Sequence, residues 1–504
     1  MEYLLGIDIG SGGVKETLLS VSGQPVASAT VEYPTYYPEV SWTEQDPEDW
    51  YRAVCEGLSS LLGKSGVRSS DIRAIAVDAA THTAVLMDRD CRVLDRAILW
   101  TDQRSVRESA WLDERYGDML FEVTYHRPDT LWTLPQLLWI RNHKPDVFER
   151  IGHILFAKDY IRWRLTGRIC TDTIDAAGSM LYDVANDRWS PELCALAGLD
   201  PSVLPEALPP FAEAGKVTRE AARETGLAEG TLVAAGATDT VMEVFGTGAV
   251  REGQSTVKLA TAGRICAITR QPHPHPMFVT YRHVVPGLWY PGSATKSCAA
   301  SMRWYRDVFG ELEKLEEARG GPDAYEAISA AAATIAPGCE GLFFHPYLLG
   351  ELTPYRNPHL RASFTGISAG HTKAHFSRAV MEGVAFSLRD CLSVFTEQGI
   401  RVENARLIGG ASKSPVWRQI TADVLGMELQ LPRANDSSFG SAMLAGVCAG
   451  VFAGPEEAVE RCVRIDRIIE PDPRTHALYE ERFAVYRQIV QAMEPVYTRR
   501  DFGQ

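Results

Sequence analysis

The first 33 residues constrain the fold more than any other part of the sequence. A short apolar run, YLLGIDI at 3–9, leads into the turn GSGG at 10–13, and the alternating segments VKETLLSV (14–21) and PVASATVEY (25–33) follow. Alternating apolar and polar residues between tight glycine turns are typical of antiparallel strands. The pattern therefore predicts a three-stranded antiparallel meander.

Further helices and strands are predicted along the chain. Asp46 can cap a helix whose first turn carries Pro47 and the acids Glu48 and Asp49, so a helix is expected to about Leu62. Apolar runs that end in glycines predict strands, and amphipathic or small-residue runs predict helices. The predicted strands are IRAIAVDAA (72–80), AVLMD (84–88), GTLVAAGATDT (230–240), STVKLAT (255–261), RICAIT (264–269) and RLIGG (406–410), and the predicted helices are SKSPVWRQITADVLG (412–426) and SSFGSAMLAGVCAGV (437–451).

The strand–turn–strand pattern occurs in both halves of the chain, followed each time by helical segments. This recurrence predicts an α/β protein with two similar domains. The glycine-rich stretch GTGAVREGQ at 246–254 separates the two patterns. We place the boundary there, which gives domains of 1–245 and 246–504; an ordinary surface loop is the alternative.

Charge and composition limit the partners. The 504 residues include 51 Lys and Arg against 65 Asp and Glu, a formal net charge of −14. A negative surface repels DNA and anionic lipid, so neither nucleic acid nor a membrane is an expected partner. The start of the chain has no signal-peptide pattern, and the ten cysteines include no CxxC pair. We expect reduced thiols and a cytoplasmic location. The last residues, 497–504, are expected to fray.

The segment DIGSGGVK at 8–15 places a carboxylate, Asp8, at a strand end before a glycine-rich turn and Lys15. Glycines let backbone amides point into a concave turn that suits phosphate oxygens, and the carboxylate can hold Mg²⁺ beside them. The segment is not a Walker loop, because GxxxxGK[ST] is absent. An ordinary hairpin is the alternative interpretation.

A second carboxylate, Asp239 in GATDT at 236–240, follows an apolar strand at the start of a predicted helix. A carboxylate in this place can accept a hydroxyl proton during phosphoryl transfer. A helix cap is the alternative interpretation. Two more small-residue turns, ATAG at 260–263 and GGASKSP at 409–415, are candidates for a second phosphate turn and for a segment that a nucleotide approaches closely.

Polar and aromatic residues also cluster after two strands of the first half. THT at 81–83 contains His82, and WTDQR at 100–104 combines an aromatic ring, a carboxylate, an amide and a guanidinium. Sugar hydroxyls need such bidentate polar groups, and the apolar face of a sugar needs a ring. A structural role for a lone histidine is the alternative. The PHPHP segment at 272–276 lacks a third metal ligand and is interpreted as a rigid loop.

Taken in order, these segments resemble the FGGY carbohydrate kinases of the actin-like ATPase superfamily. The stretch SFTGISAGHTKAHFSRAVMEGVAF at 363–386 is similar to the family's second signature, and TLPQLLWIRNH at 133–143 is similar to the first, with Gln136 where lysine is usual. The resemblance implies an α/β fold of two actin-like (ribonuclease H-like) ATPase domains around a cleft. It implies that 1–245 binds mainly the sugar and 246–504 mainly the nucleotide.

The resemblance also implies roles for individual residues. Asp8 resembles the metal-associated aspartate, and Asp239 resembles the catalytic base. ATP and Mg²⁺ are the implied cofactors. The residues that resemble the family's nucleotide-binding positions are Gly10, Ser11, Gly12 and Lys15 in the first turn, Thr261, Ala262 and Gly263 in the second, and Gly409, Gly410, Ala411 and Ser414 in the third segment.

The sugar-binding positions resemble those of the xylulokinase group. His82 matches the histidine of that group's Met-His-Gly stretch, whereas Thr81 and Thr83 depart from it, and WTDQR resembles its Trp-Asn-Asp-Gln-Arg stretch. The resemblance therefore implies a ketopentose such as D-xylulose as the acceptor. The implied contacts are Thr81, His82, Thr83, Trp100, Asp102, Arg104 and Asp239.

Two other functions fit parts of the pattern. An actin-like ATPase would hydrolyse ATP without a sugar, and a catalytically silent relative would bind sugar as a regulator. The second signature and the sugar-site-like segments favour the kinase, which we expect to act on a small sugar or polyol and, by resemblance, to form a homodimer.

Overall fold

The computed structural model describes residues 1–499, which form 24 strands and 17 α-helices. The strands are β1 Tyr3–Ile9, β2 Gly13–Ser20, β3 Pro25–Glu32, β4 Glu44–Gln45, β5 Ile72–Ala79, β6 Ala84–Met87, β7 Ala97–Ile98, β8 His153–Phe156, β9 Cys170–Asp172, β10 Tyr182–Asp183, β11 Arg188–Trp189, β12 Glu206–Leu208, β13 Glu213–Lys216, β14 Leu232–Ala234, β15 Ala237–Thr238, β16 Gln254–Leu259, β17 Gly263–Ala267, β18 Val279–Arg282, β19 Trp289–Thr295, β20 Phe343–His345, β21 Ser363–Thr365, β22 Asn404–Ile408, β23 Glu428–Pro432 and β24 Ile465–Ile469.

The helices connect these strands and cover both faces of the sheets. They are α1 Pro47–Ser65, α2 Val106–Thr124, α3 Thr133–His143, α4 Pro145–Phe148, α5 Ala157–Thr166, α6 Thr173–Gly178, α7 Pro191–Ala197, α8 Arg219–Thr225, α9 Asp239–Gly246, α10 Ala299–Phe309, α11 Glu311–Ala318, α12 Ala324–Ala333, α13 Lys373–Glu397, α14 Pro415–Leu425, α15 Ser437–Cys448, α16 Pro455–Cys462 and α17 Pro473–Tyr497. Helix α17 includes the start of the predicted frayed end, and residues 500–504 lie outside the described residues.

Two seven-stranded sheets organise the molecule. In the first, the strand order is β13-β14-β5-β1-β2-β3, and β15 also pairs with β5. In the second, the order is β18-β19-β17-β16-β22-β23-β24. Each sheet combines an antiparallel meander with parallel strands beside it, namely β5 and β14 in the first sheet and β22 and β23 in the second. The predicted α/β architecture of two actin-like domains is confirmed.

The two sheets are linked where helices α9 and α15 cross. A Cβ atom on Gly440 would lie 2.1 Å from the carbonyl oxygen of Met242, and one on Gly6 of β1 would lie 1.8 Å from the carbonyl oxygen of Ser438. Only glycine permits backbones to approach this closely. Helix α15 therefore packs on the first sheet although it follows the second sheet's parallel strands in the chain. The boundary near residue 246 stays a prediction.

Local structure departs from the predicted elements at two places. The predicted strand 230–240 is broken into β14 and β15 because Gly236 has φ of 82° and a Cβ there would lie 2.1 Å from the Val77 carbonyl oxygen. The predicted helix 412–426 begins only at Pro415, since Ser414 caps it and a short 3₁₀ turn precedes it. Helix α1 is capped by Asp46 as predicted and extends to Ser65.

Across residues 1–499, every helix is too short or too polar to cross a bilayer.

A buried acid in α13 predicts a pH-dependent stability. Asp390 is 1% exposed and accepts a hydrogen bond from the Tyr355 hydroxyl at 2.8 Å, with Arg487 at 3.5 Å. Burial raises the pKa of Asp390 to about 7, and the charges of Glu351 and Glu397 add to the rise. Folding therefore favours the protonated acid, and the stability this provides is lost as the pH rises through about 7.

We expect Asp390→Asn to remove this dependence. Since one pKa unit corresponds to about 1.4 kcal/mol, the variant should gain stability relative to the natural protein by about 2 to 4 kcal/mol between pH 5 and pH 8. Denaturant unfolding at both pH values measures the difference. If the free energies of unfolding of the two proteins differ by the same amount at pH 5 and at pH 8, the raised pKa of Asp390 is contradicted.

Candidate active site

Three aspartates meet where strands of the first sheet end. Asp8, near the end of β1, lies opposite Asp78 on β5, and Asp239 directly follows Thr238 of β15, which pairs with Ala79. Because β1, β5 and β15 are parallel, their carboxyl ends lie at one edge of the sheet, which is where ligands bind in open α/β sheets. The fold therefore brings together the predicted residues Asp8 and Asp239, and it adds Asp78.

The three carboxylates are buried close together. Burial raises the pKa of Asp8 to about 7; a hydrogen bond with Ser437 opposes the rise, and the charge of Asp239 adds to it. Burial also raises the pKa of Asp78 and the pKa of Asp239. Ser441 donates to Oδ2 of Asp78 at 2.5 Å, but Oδ1 of Asp8 and Oδ1 of Asp78 are buried and find no donor.

This cluster fits a magnesium ion. Mg²⁺ takes one or two carboxylates and completes its coordination with water and substrate phosphates. Among residues 1–499, no three or more Asp, Glu, His or Cys side chains are arranged to hold an ion unaided. The unpartnered Oδ1 of Asp8 is a hard oxygen ligand of the type Mg²⁺ requires. Asp8, with Asp78 behind it, therefore suits the predicted metal role.

Asp239 is held in place at the first turn of α9. Its Oδ1 accepts hydrogen bonds from the backbone N–H of Thr240 at 2.6 Å and from the Thr240 hydroxyl at 3.1 Å. Burial raises the pKa of Asp239, and the charge of Lys258 lowers it. Lys258 forms an ion pair with Glu243 at 2.7 Å. Asp239 is thus an oriented carboxylate with raised proton affinity, as a general base requires.

Two cavities meet at the glycine-rich segment 409–413. The first cavity, of about 800 Å³, is lined by Asp8 and Asp239. The second cavity, of about 1000 Å³, lies beside α12 and α14. Gly410 and Lys413 line both cavities, so an elongated ligand can extend from one into the other.

The walls of the second cavity suit a flat aromatic group. Tyr325 and Trp417 contribute rings, and Met302 and Met381 contribute polarisable thioethers. The hydroxyls of Ser329 and Ser414 lie 2.6 Å apart on the same wall, which joins α12 to the start of α14. Such a mostly apolar pocket with a few polar groups is typical of a site for a nucleobase or another small ring.

The structure places about half of the predicted residues at these cavities. Asp8, Gly10, Ser11, Asp239 and Gly409 line the first cavity, Thr261, Ala411 and Ser414 line the second, and Gly410 lines both. The predicted residues outside the two linings are Gly12, Lys15, Ala262, Gly263, Thr81, His82, Thr83, Trp100, Asp102 and Arg104.

The predicted turn residues outside the cavities have visible contacts. Lys15 forms an ion pair at 2.9 Å with Asp436, which itself lines the first cavity. Gly12 is exposed at the tip of the first turn, and Ala262 is exposed beside Thr261. Gly263 is buried, and a Cβ there would lie 2.7 Å from the side chain of Thr295. Their roles toward a nucleotide stay predictions.

His82 belongs to a buried aromatic cluster. Its Nε2 lies 2.8 Å from the Tyr281 hydroxyl, and its ring is 4.6 Å from that of Trp132. Its Nδ1 has no partner, nor does the buried hydroxyl of Thr83. Burial raises the pKa of Tyr281, and the charge of Asp239 contributes to the rise. The cluster therefore lies within electrostatic reach of the candidate base.

Asp102 and Arg104 are occupied with each other. Their side chains form an ion pair at 2.8 Å with only 1% of each exposed, and Arg104 also pairs with Glu44 at 2.9 Å and lies over the Trp42 ring. These contacts leave little hydrogen-bonding capacity for a sugar. Trp100 is 45% exposed. The sugar contacts of these residues, like those of Thr81, His82 and Thr83, stay predictions.

Seven charged residues of the first cavity were not among the predicted site residues. They are Glu243, Lys258, Lys413, Arg418, Arg433, Asp436 and Asp466. Glu243 follows Asp239 by four residues and so shares its helix face, a signal that the sequence does carry. Lys258, in contrast, enters the site because β16 lies close to α9, and this proximity has no local signature.

Gly409 provides a test of the glycine-rich segment. Its φ of 92° with ψ of 159° is open to glycine only, and a Cβ would lie 2.4 Å from the Leu259 carbonyl oxygen. We expect Gly409→Ala to displace the segment, to lower stability by about 1–3 kcal/mol and to raise KM for the nucleotide. Thermal unfolding and initial rates measure both effects. Gly410→Ala is the control, because a Cβ at Gly410 would meet no other atom within 4 Å. Equal stability of the Gly409→Ala and Gly410→Ala variants would contradict this account.

Comparison with known proteins gives one consistent family. The model for the N-terminal domain of the FGGY family of carbohydrate kinases matches residues 3–246, and the model for the C-terminal domain matches residues 244–449. A xylulose kinase of Bacillus subtilis is 32% identical over 97% of both chains, and one of Escherichia coli is 32% identical over 98% of this chain and 99% of the relative. The structure of xylulose kinase from Rhodospirillum rubrum superposes with a TM-score of 0.90 at 30% identity, covering 99% of this chain and all of that one.

Proposed function

The chain belongs to the FGGY family of carbohydrate kinases, and from this premise we propose that it transfers the γ-phosphoryl group of ATP to a hydroxyl group of D-xylulose. The observation that carries the proposal is the position of Asp8 and Asp239 at the same edge of the first sheet. Both line the first cavity together with residues of two glycine-rich turns. Relatives that match over nearly their whole length bear the name xylulose kinase, which supports this acceptor.

ATP binds across both cavities in this proposal. The adenine occupies the second cavity beside Tyr325 and Trp417, and the phosphates pass Gly410 toward the first cavity. The backbone N–H of Gly10 donates to the Gly13 carbonyl oxygen at 3.0 Å and closes the turn, whereas the amides of Ser11 and Gly12 and the charge of Lys413 suit phosphate oxygens. Asp8 would hold a magnesium ion, which would supply positive charge to neutralise the phosphate oxygens.

Asp239 acts as the general base. Because Thr240 holds Oδ1, Oδ2 is the oxygen that accepts the proton of the attacking sugar hydroxyl. The raised pKa of Asp239 favours this transfer near neutral pH. The charge of Lys258 stabilises the Asp239 carboxylate before transfer, whereas the charge of Glu243 opposes this. Positioning and charge neutralisation supply most of the remaining acceleration.

The crossing of α9 and α15 suits a hinge between the two sheets. Both helices begin at the first cavity, with Asp239 at the start of α9 and Ser437 at the start of α15. A rotation about this crossing would narrow the cleft and exclude water from the phosphates, which limits ATP hydrolysis. We also propose the domain roles given above, with the sugar bound mainly by 1–245 and the nucleotide mainly by 246–504. A homodimer and a cytoplasmic location stay predictions from the sequence.

Product identification tests the proposed acceptor. The protein is incubated with MgATP and, separately, with ketopentoses, ketohexoses, polyols and sugar acids, and the phosphate esters are detected by mass spectrometry. We expect a pentulose monophosphate with D-xylulose and far less product with the other compounds. A preference for another acceptor would keep the kinase mechanism and contradict D-xylulose.

A further inference from the structure

Arg264 on β17 is a cation that forms no ion pair among the described residues. It lies directly opposite Lys258 on β16, so the two side chains share one face of the sheet. Lys258 pairs with Glu243, whereas within residues 1–499 no ion pair includes Arg264. Like charges on directly opposed residues are destabilising. The repulsion between Lys258 and Arg264 destabilises this arrangement, and hydrogen bonds from Arg264 to an oxygen of a bound ligand would offset the loss.

The guanidinium group of Arg264 is also short of hydrogen-bond acceptors. Its Nη2 is buried and has no partner. The group lies against Gly292 of β19, where a Cβ would be 3.0 Å from Nε and 3.1 Å from Nη2. The rings of Tyr281 and Tyr290 lie 5.9 Å and 5.8 Å from its central carbon. A buried donor left unsatisfied is unfavourable unless a ligand completes it.

The surroundings of Arg264 indicate which ligand this is. Tyr281 hydrogen-bonds to His82, the centre of the predicted sugar contacts, and the opposite neighbour Lys258 belongs to the group around Asp239. Arg264 therefore lies between the sugar-side cluster and the base. Arg264, Tyr281 and Gly292 are absent from the linings of the two cavities to which the nucleotide is assigned. The position of Arg264 near Tyr281 and His82 therefore favours the acceptor over ATP as the substrate that it contacts.

Building on the proposed function, we infer that Arg264 binds the acceptor through an oxygen that only accepts hydrogen bonds. A guanidinium group carries five donors and no acceptor. The keto oxygen of a ketose, or a carboxylate oxygen of a sugar acid, satisfies it directly, whereas a hydroxyl must direct its own proton elsewhere. Arg264 is thus a specificity-determining residue that makes the site prefer carbonyl-bearing acceptors over polyols.

Kinetics with a ketose and its reduced forms test this role. Values of kcat/KM are measured for D-xylulose, for xylitol and D-arabinitol, which replace its keto group by an alcohol, and for D-gluconate. A compound that is not phosphorylated is compared by its inhibition constant. We expect Arg264→Met to lower kcat/KM for D-xylulose by about 10- to 100-fold, the range for a hydrogen bond to a charged group. The values for the pentitols and KM for ATP should stay nearly unchanged.

Two further variants distinguish recognition from folding. Arg264→Lys keeps the charge but loses the planar fork, so the preference for the ketose should fall only part of the way. Arg282 on β18 is the matched control, because its guanidinium is already used by Asp187 at 3.0 Å and by the Val184 carbonyl at 2.6 Å. Arg282→Met should keep the natural preference. If Arg264→Met does not fold, the Arg264→Lys variant tests the inference through the ratio of kcat/KM for D-xylulose to kcat/KM for the pentitols.

The outcomes separate this inference from the proposed substrate. An unchanged ketose-to-pentitol ratio in the Arg264 variants, or an equal loss with every acceptor, overturns the role of Arg264 and leaves D-xylulose in place. A natural preference for D-gluconate that Arg264→Met abolishes supports the role of Arg264 and contradicts D-xylulose. Loss of the ketose preference alone supports both.

Discussion

Replacing Asp239 by asparagine is expected to lower kcat with D-xylulose by about 10²- to 10⁴-fold, the range for a lost general base. The amide keeps the shape of the side chain and can still accept from Thr240, but it cannot take up the hydroxyl proton. The binding of the adenine in the second cavity, away from Asp239, should change little. Initial rates over a range of both substrates measure kcat and the two KM values.

A matched control for this variant is Asp472→Asn. Asp472 caps α17 through the backbone N–H groups of Arg474 and Thr475, and asparagine caps a helix equally well. This variant should keep natural kcat and stability. Turnover within a few-fold of the natural rate in Asp239→Asn would remove Asp239 from the role of base.

Replacing Lys158 by methionine is expected to lower the free energy of unfolding by about 3–5 kcal/mol, the cost of breaking a buried ion pair. The Lys158 Nζ is fully buried and lies 2.6 Å from Asp159, 2.7 Å from Asp172 and 3.0 Å from Asp175. Without it, Arg162 is left as the cation of a group with three buried carboxylates. Denaturant unfolding measures the loss.

Lys144→Met provides the comparison for a surface pair. Lys144 pairs with Asp95, and about a third of each side chain is exposed. Solvent screens such a pair, so its removal should cost about 0–1 kcal/mol. Equal losses of unfolding free energy in the Lys158→Met and Lys144→Met variants would contradict the account, because they would show that the buried carboxylates do not depend on Lys158 for their stability.

The sequence predicted those features that depend on local chemistry. The glycine turn at 10–13 and the alternating segments around it predicted β1, β2 and β3, because turn geometry and side-chain alternation set both strand register and strand length. The Asp46–Pro47 start of α1 follows from helix capping in the same way. Asp8 and Asp239 were found because each stands between a strand and a turn or helix.

Features that depend on distant contacts could not be read from the sequence. Helix α15 was predicted as a close-packing helix, but its partner, Gly6 of β1, is more than 400 residues away in the chain. Asp78 was inside a predicted buried strand, and only the parallel pairing of β1 with β5 places it beside Asp8. Lys258 lies opposite Arg264 because of the register between β16 and β17, and the local sequence does not show that register.

Sugar-dependent release of ADP from MgATP, measured for the natural protein and for Asp239→Asn side by side, tests the central claim most directly. The account predicts a large stimulation of ADP release by D-xylulose that the Asp239→Asn variant lacks. ADP release that needs no sugar and survives the Asp239 change would contradict the account, because it would identify an actin-like ATPase without an acceptor.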